Sequence, residues 1–109
     1  MCRSFYAEEI AQENLIALVL SQSPEYVAPH GSNEGIFGTN PIAVAVPSAD
    51  GPPLVIDVGT SAVAWYDLVE AQSARRSVGA DVGYDAAGQP TTDPTAILQG
   101  GALRVFDRW

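Results

Sequence analysis

The chain has no lysine and only one cysteine, one histidine and one methionine among its 109 residues, and each scarcity removes a class of function. Five arginines face thirteen acidic side chains, for a formal charge of −8. A phosphate backbone or an anionic membrane surface is repelled by that balance, so neither nucleic acid nor membrane is an expected partner. Cys2 alone closes no intrachain disulfide, and Cys2 with His30 gives no zinc or haem spacing, so no metal site is expected. The longest apolar run, 15–20, falls far short of the ~20 residues that cross a bilayer, and the first six residues hold no apolar signal core. A soluble chain in a reducing cytoplasm is the expectation.

What is present is enough to fold. Hydrophobic residues make up 47% of the chain and charged residues 17%, outside the range of disordered sequences, and the length allows one domain at most. The stretch "SFYAEEIAQE" places Tyr6, Ala7, Ile10 and Ala11 at helical spacing, which predicts a short amphipathic helix over 4–13 with Asn14 as its left-handed cap. "LIALVL" does not alternate and predicts a strand buried on both faces. Residues 21–38 hold two prolines, three glycines and three serines, and read as one long ordered loop, a kind of segment that often carries function.

Three further elements follow. "PIAVAVP" sets Ile42, Val44 and Val46 against Ala43 and Ala45 as a proline-bounded strand. A turn comes next, with Asp50-Gly51 expected to supply a positive backbone angle, and then a buried strand over 54–58. Val63, Ala64, Leu68 and Ala71 space a helix out to about Ala74, with Arg75 and Arg76 near its C-terminal dipole. A turn at 85–90 precedes a short helix capped by Asp93, begun by Pro94 and stopped by Gly100. This order implies a mixed α/β layer.

The most informative unit by spacing is "LVIDVGTSAVAW". A strand ends near Asp57, Gly59 frees the backbone, and Thr60 and Ser61 present hydroxyls where a helix is expected to begin. Beyond strand ends and at helix N-termini, free amides and the dipole favour a phosphate or carboxylate. The same residues also serve a plain structural use, in which Gly59 turns the chain and Ser61 caps the helix. "FGTNP" likewise either closes a turn through Thr39 and Asn40 or shapes a pocket wall. There is no G-x-G-x-x-G and no Walker A pattern. His30 is the one group suited to proton transfer near neutral pH, and no complete set of nucleophile, acid and base is found, so no catalytic residue is assigned.

Three segments, "LIALVLSQSPEYVAPHGSNEGIFGTNPIAVAVP", "PPLVIDVGTSAVAW" and "DAAGQPTTDPTAILQGGAL", resemble in order and spacing the malate/L-lactate dehydrogenase family. That family includes ureidoglycolate and sulfolactate dehydrogenases and diketogulonate and cyclic-imine reductases. The resemblance runs from about Tyr6 to Leu103 and covers only the middle portion of a longer family member. It implies part of a mixed-sheet α/β/α nicotinamide-binding domain that is not a Rossmann fold, NAD or NADP as cofactor, a small 2-hydroxy or 2-keto acid as substrate, and a homodimer. It also places Ser23 near substrate and nicotinamide, aligns the family's cofactor-binding "D-M-A-T-S" with Asp57, Val58, Gly59, Thr60 and Ser61, and gives Thr39 and Asn40 of "G-T-N-P" a pocket-shaping role.

The resemblance also sets out departures. The family's catalytic histidine sits in an "S-x-H" motif upstream of the first helix, and "MCRSFYAEE" does not contain it; the family's later lysine-glycine segment is absent too. Residues 104–109, "RVFDRW", replace a glycine-rich stretch and read as an altered tail. The expectation is therefore a single incomplete domain over 1–109. It is a segment of a hydride-transferring oxidoreductase, inactive alone. The alternative is a truncated, non-catalytic paralogue that acts as a binding or interaction module.

Overall fold

A computed structural model describes residues 3–106. Cys2 and the last three positions of the tail, 107–109, lie outside the described residues. The elements run α1 (Arg3–Gln12), β1 (Ala17–Leu20), β2 (Val27–Ala28), β3 (Ile42–Val46), β4 (Leu54–Val58), α2 (Trp65–Ser73), β5 (Gly83–Tyr84), β6 (Pro90–Thr91), α3 (Pro94–Leu98) and β7 (Ala102–Arg104). They divide into two compact units: residues 3–21 with Pro41–Val58, and Gln22–Asn40 with 59–106.

In the first unit β1, β3 and β4 form an antiparallel sheet in the order β1-β3-β4, and α1 packs against it. Asn14 takes φ 62° just beyond α1, as its capping role requires. The core consists of Ala7 and Ala11 from the helix and Ala17, Ala43 and Ala45 from the strands. The register puts Leu18, Leu20, Ile42, Val44, Val46, Leu54, Ile56 and Val58 on the opposite face. Leu18 and Leu54 there are 64% and 67% exposed. The expectation that β1 and β4 are buried on both faces is thus wrong for this chain, because among the described residues α1 covers one face only. An unbroken apolar run fixes strand character and says nothing of how many layers cover it. The turn before β4 also differs from expectation, since Gly51 is not among the residues with positive φ.

The second unit is built on a four-stranded mixed sheet, β2-β7-β5-β6, in which β2 and β7 run parallel and the other pairs antiparallel. Its core joins Val27, Leu68, Val82, Ile97 and Leu103, with α2 and α3 packed together. Tyr26 stacks on Trp65 with ring centroids 3.6 Å apart. The predicted loop of 21–38 therefore contains a strand. Val27 pairs with Leu103 of β7 and bridges back to Phe37, which closes the loop on itself. Helix α2 begins at Trp65, later than the spacing suggested, and Asp67 Oδ2 accepts from the Ala64 N–H at 3.0 Å. Helix α3 matches expectation: Asp93 accepts from Thr95 N–H at 2.9 Å, Pro94 opens the helix, and Gly100 takes φ 91° beyond it.

Candidate functional site

Four residues singled out by sequence meet at one corner of the second unit. Ser23 leaves the β1 side of the long loop, Thr39 and Asn40 end it, and Thr60 opens the segment after β4. The Thr39 N–H donates to Ser23 Oγ at 2.8 Å and the Thr39 hydroxyl donates to the same oxygen at 3.2 Å. The Thr60 N–H and hydroxyl both donate to the Thr39 carbonyl, at 3.0 and 2.9 Å. The corner is thus tied across 16 and 21 residues of sequence by side-chain and main-chain bonds together.

Gly38 explains why the corner closes so tightly. A Cβ built there would stand 2.5 Å from Asn40 Oδ1, 2.5 Å from the Ser23 carbonyl oxygen and 2.9 Å from Ser23 Oγ. No side chain fits without moving the loop. Gly59 differs: a Cβ there meets nothing nearer than Ser61 Oγ at 3.9 Å, and its φ is not positive. The turning role given to Gly59 is therefore not used. Asn40 takes φ 30°, and its Oδ1 is buried with no hydrogen-bond partner. An acceptor left without a partner costs free energy, which the bonds around it at Ser23, Thr39 and Thr60 offset.

Thr60 and Ser61 do not open a helix. The segment runs extended, with Ser61 bridged to Val105, Ala62 N–H donating to the Arg104 carbonyl at 2.8 Å and Phe106 N–H to that of Thr60 at 2.9 Å. The Ser61 hydroxyl donates to Val63 O at 2.7 Å, which is a local bond in place of the expected cap on α2. Free helix amides are consequently not what this segment offers, and the phosphate cradle inferred from its spacing loses its physical basis here.

Asp57 and Val58 belong to the first unit, at the end of β4. Asp57 Oδ1 accepts from Arg3 Nε and a terminal guanidinium nitrogen at 3.3 and 3.2 Å, and Oδ2 accepts the Ser4 N–H at 3.0 Å. The carboxylate therefore satisfies an amide in the first turn of α1 and is charge-balanced by Arg3. Sequence spacing gave no sign of this pair, whose members stand 54 residues apart. Val58 lies on the uncovered face of the sheet, paired with Ile42. His30 is exposed at a turn. Among the described residues no group of three or more His, Cys, Asp or Glu side chains is placed to hold a metal ion.

Mainly antiparallel ladders, helices packed against them and a glycine-tightened G-T-N-P corner define a mixed α/β protein outside the Rossmann class. The sequence pattern of the malate/L-lactate dehydrogenase family matches residues 1–108, and the chain belongs to that family. It is 50% identical over 99 residues to a Δ1-pyrroline-2-carboxylate/Δ1-piperideine-2-carboxylate reductase of Pseudomonas putida, an alignment covering 91% of this chain and 29% of that protein. It is 38% identical over 100 residues to a (2R)-3-sulfolactate dehydrogenase (NADP+) of Chromohalobacter salexigens, covering 92% and 30%. The crystal structure of a Δ1-piperideine-2-carboxylate reductase from Pseudomonas syringae pv. tomato superimposes with a TM-score of 0.83 at 45% identity, over 92% of this chain and 30% of that one. The chain thus spans under a third of the length of the relatives it matches.

Proposed function

We propose that this chain is a segment of an NAD- or NADP-dependent oxidoreductase that reduces a small 2-keto or cyclic 2-imino acid, or runs the reverse reaction on the 2-hydroxy acid, and that the segment alone is inactive. The observation that carries this reading is the 50% identity, over nine-tenths of the chain, to a cyclic-imine carboxylate reductase. The lower identity to a sulfolactate dehydrogenase favours the imino acid over the hydroxy acid as substrate.

In this reading the nicotinamide ring supplies or takes the hydride at its C4. Thr39, Asn40 and Thr60 form a wall against the cofactor, Gly59 and Ser61 continue it, and Ser23 fixes the wall's shape near the substrate. Asp57 and Val58 stand just before Gly59 in the sequence segment that the resemblance aligns with the family's cofactor-binding "D-M-A-T-S". A proton must reach the substrate nitrogen or oxygen in the same turnover. The S-x-H motif to which the resemblance assigns that task is absent from the sequence, His30 stands exposed at a turn, and Asp57 is engaged with Arg3 and Ser4. Hydride transfer without that proton leaves an unstabilised anion, which is why the segment alone should not turn over. The homodimer and the cytoplasmic location belong to the same proposal and rest on the family resemblance.

The test compares the 109-residue chain with a family-length polypeptide that carries it as its central segment. Nicotinamide oxidation is followed with Δ1-pyrroline-2-carboxylate, Δ1-piperideine-2-carboxylate and simple 2-keto acids. The longer protein should consume the imino acids and the chain should not. A family-length protein inert toward every imino and keto acid would sink the reading and leave the interaction module standing.

A further inference from the structure

Asp50 is the only aspartate or asparagine in the chain followed by glycine. It also stands apart in its bonding. Asp57 accepts from Arg3 and Ser4, Asp67 from the Ala64 N–H, Asp85 from the Ala87 and Gln89 N–H groups, and Asp93 from the Thr95 N–H. Asp81 is engaged as well. Among the described residues neither the Asp50 carboxylate nor the Gly51 N–H has a partner. Both residues are exposed, in the turn that joins β3 to β4. Pro47, Pro52 and Pro53 bring no N–H to that turn, and residues 47–53 form no hydrogen bond of their own. There is room beside it: a Cβ built on Gly51 meets nothing within 4 Å, and a cleft of about 360 Å³ lies between the turn and Glu8, Gln12 and Asn14.

We propose that Asp50-Gly51 is a self-modifying site, at which the folded chain converts aspartate to isoaspartate. The Gly51 nitrogen attacks Asp50 Cγ; the new N–C bond closes a succinimide ring, the N–H proton and the carboxyl OH leave as water, and nothing is oxidised or reduced. Water then opens the ring. Addition at Cγ restores aspartate, whereas addition at the Asp50 main-chain carbonyl carbon leaves the chain running through Cβ, with the carboxylate on Cα. Attack needs a free carboxyl, a mobile nitrogen after it and no side chain crowding that nitrogen. The other described aspartates fail these conditions: their carboxylates are held, Val58, Leu68, Val82 and Ala86 crowd the following amide, and Pro94 has no N–H. Because the turn has no hydrogen bonds to give up, the added main-chain carbon is absorbed before the Val46–Leu54 pair of the ladder. Asp57, at the far end of β4, keeps its bonds to Arg3 and Ser4. The product displays in an exposed turn the carboxylate that an isoaspartate carboxyl methyltransferase esterifies. This chemistry does not depend on the reductase reading.

In the experiment the 109-residue chain is aged at neutral pH, both folded and in denaturing urea, and peptide maps with isoaspartate-specific methylation locate and count the product. Hydrogen exchange at Val44 and Ala45, in the central strand of the sheet, tracks folding in the same samples. Isoaspartate should build up at Asp50, and in the folded sample at a rate within about threefold of the unfolded one, as a turn with an opening free energy near zero dictates. Asp50→Glu should lose the product, because its ring would be larger and closes poorly. Gly51→Ala, whose methyl has room in the fold, should slow the reaction in folded and unfolded chains alike. A folded-state rate more than about tenfold below the unfolded one means that the turn is held, and overturns the proposal. So does product at another aspartate of the folded chain, or product confined to chains that have lost protection at Val44.

Discussion

The two units bury opposite kinds of side chain. Beneath α1 the first unit hides five alanines, with Val19 and Val55 partly buried beside them, and turns the leucines, isoleucines and other valines of its sheet to the opposite face, whereas the second unit gathers Val27, Leu68, Val82, Ile97 and Leu103 inside. Alanine methyls let a helix approach a sheet closely, but each removes little apolar surface from water. A buried leucine or isoleucine contributes about 1.5–3 kcal/mol, and an alanine far less. The difference teaches that alternation along a strand can be one of size rather than polarity. In β3 the small side chains face the helix and the large ones face out, so hydropathy alone does not say which face is the core.

The largest effect should come from the second unit. Leu68 is fully buried between the elements of that core, and Leu68→Ala should cost about 2–5 kcal/mol through lost contact and a residual cavity. Chemical denaturation of the chain followed by tryptophan fluorescence reads this directly, since Trp65 packs against the same cluster. A change below about 1 kcal/mol would mean that this cluster does not set the stability of the chain, and the contrast would fail.

In the first unit the damaging change runs in the other direction. Ala43 has no exposed surface and faces α1, so Ala43→Leu should destabilise by about 1–3 kcal/mol by overpacking a seam that alanines keep narrow. A melt that separates the units should show the loss in the transition of α1 and its sheet. Tolerance of leucine there would show that the helix rides loosely on the sheet.

A smaller loss is expected at the corner. Ser23→Ala removes the acceptor of the Thr39 N–H and hydroxyl in a partly buried place, which should cost about 1–2 kcal/mol. Hydrogen exchange at Thr39 should speed up while that at Val27 and Leu103, in the paired strands, stays slow. Loss of protection throughout the second unit would place Ser23 in the core of its stability rather than at a local tie.

Local signals were legible in the sequence because they act within a few residues. The Asn14 cap, the Asp93-Pro94 helix start and the Asp85 turn each satisfy their neighbours' backbone groups, and each appears as read. The illegible features are long-range. Arg3 and Asp57 pair across 54 residues, and Val27 finds β7 far along the chain, so neither leaves a periodic trace. The strands β2, β5 and β6 span two residues each, too short for any alternation to register. At the candidate site, Ser23, "GTNP" and "GTS" could each be singled out, but not that one serine oxygen would tie Thr39 in place across the long loop.

The smallest stability change is expected where the comparison is sharpest. Ile56 sits in the middle of β4 on the uncovered face, 52% exposed, between neighbours of the same kind on β3. In a core of the second unit's type its replacement by threonine would bury a hydroxyl and cost several kcal/mol. On this face Ile56→Thr keeps the branched shape a strand favours and loses only half-exposed contacts, so stability should move by no more than about 0.5 kcal/mol. Self-association should fall instead, because an exposed aliphatic sheet face drives aggregation when water is its only cover. Light scattering of the two forms at equal concentration measures this. A large loss of stability with unchanged association would show that the face is covered in solution by another copy or another part of the polypeptide, and the inverted burial of the first unit would then be a property of the isolated chain.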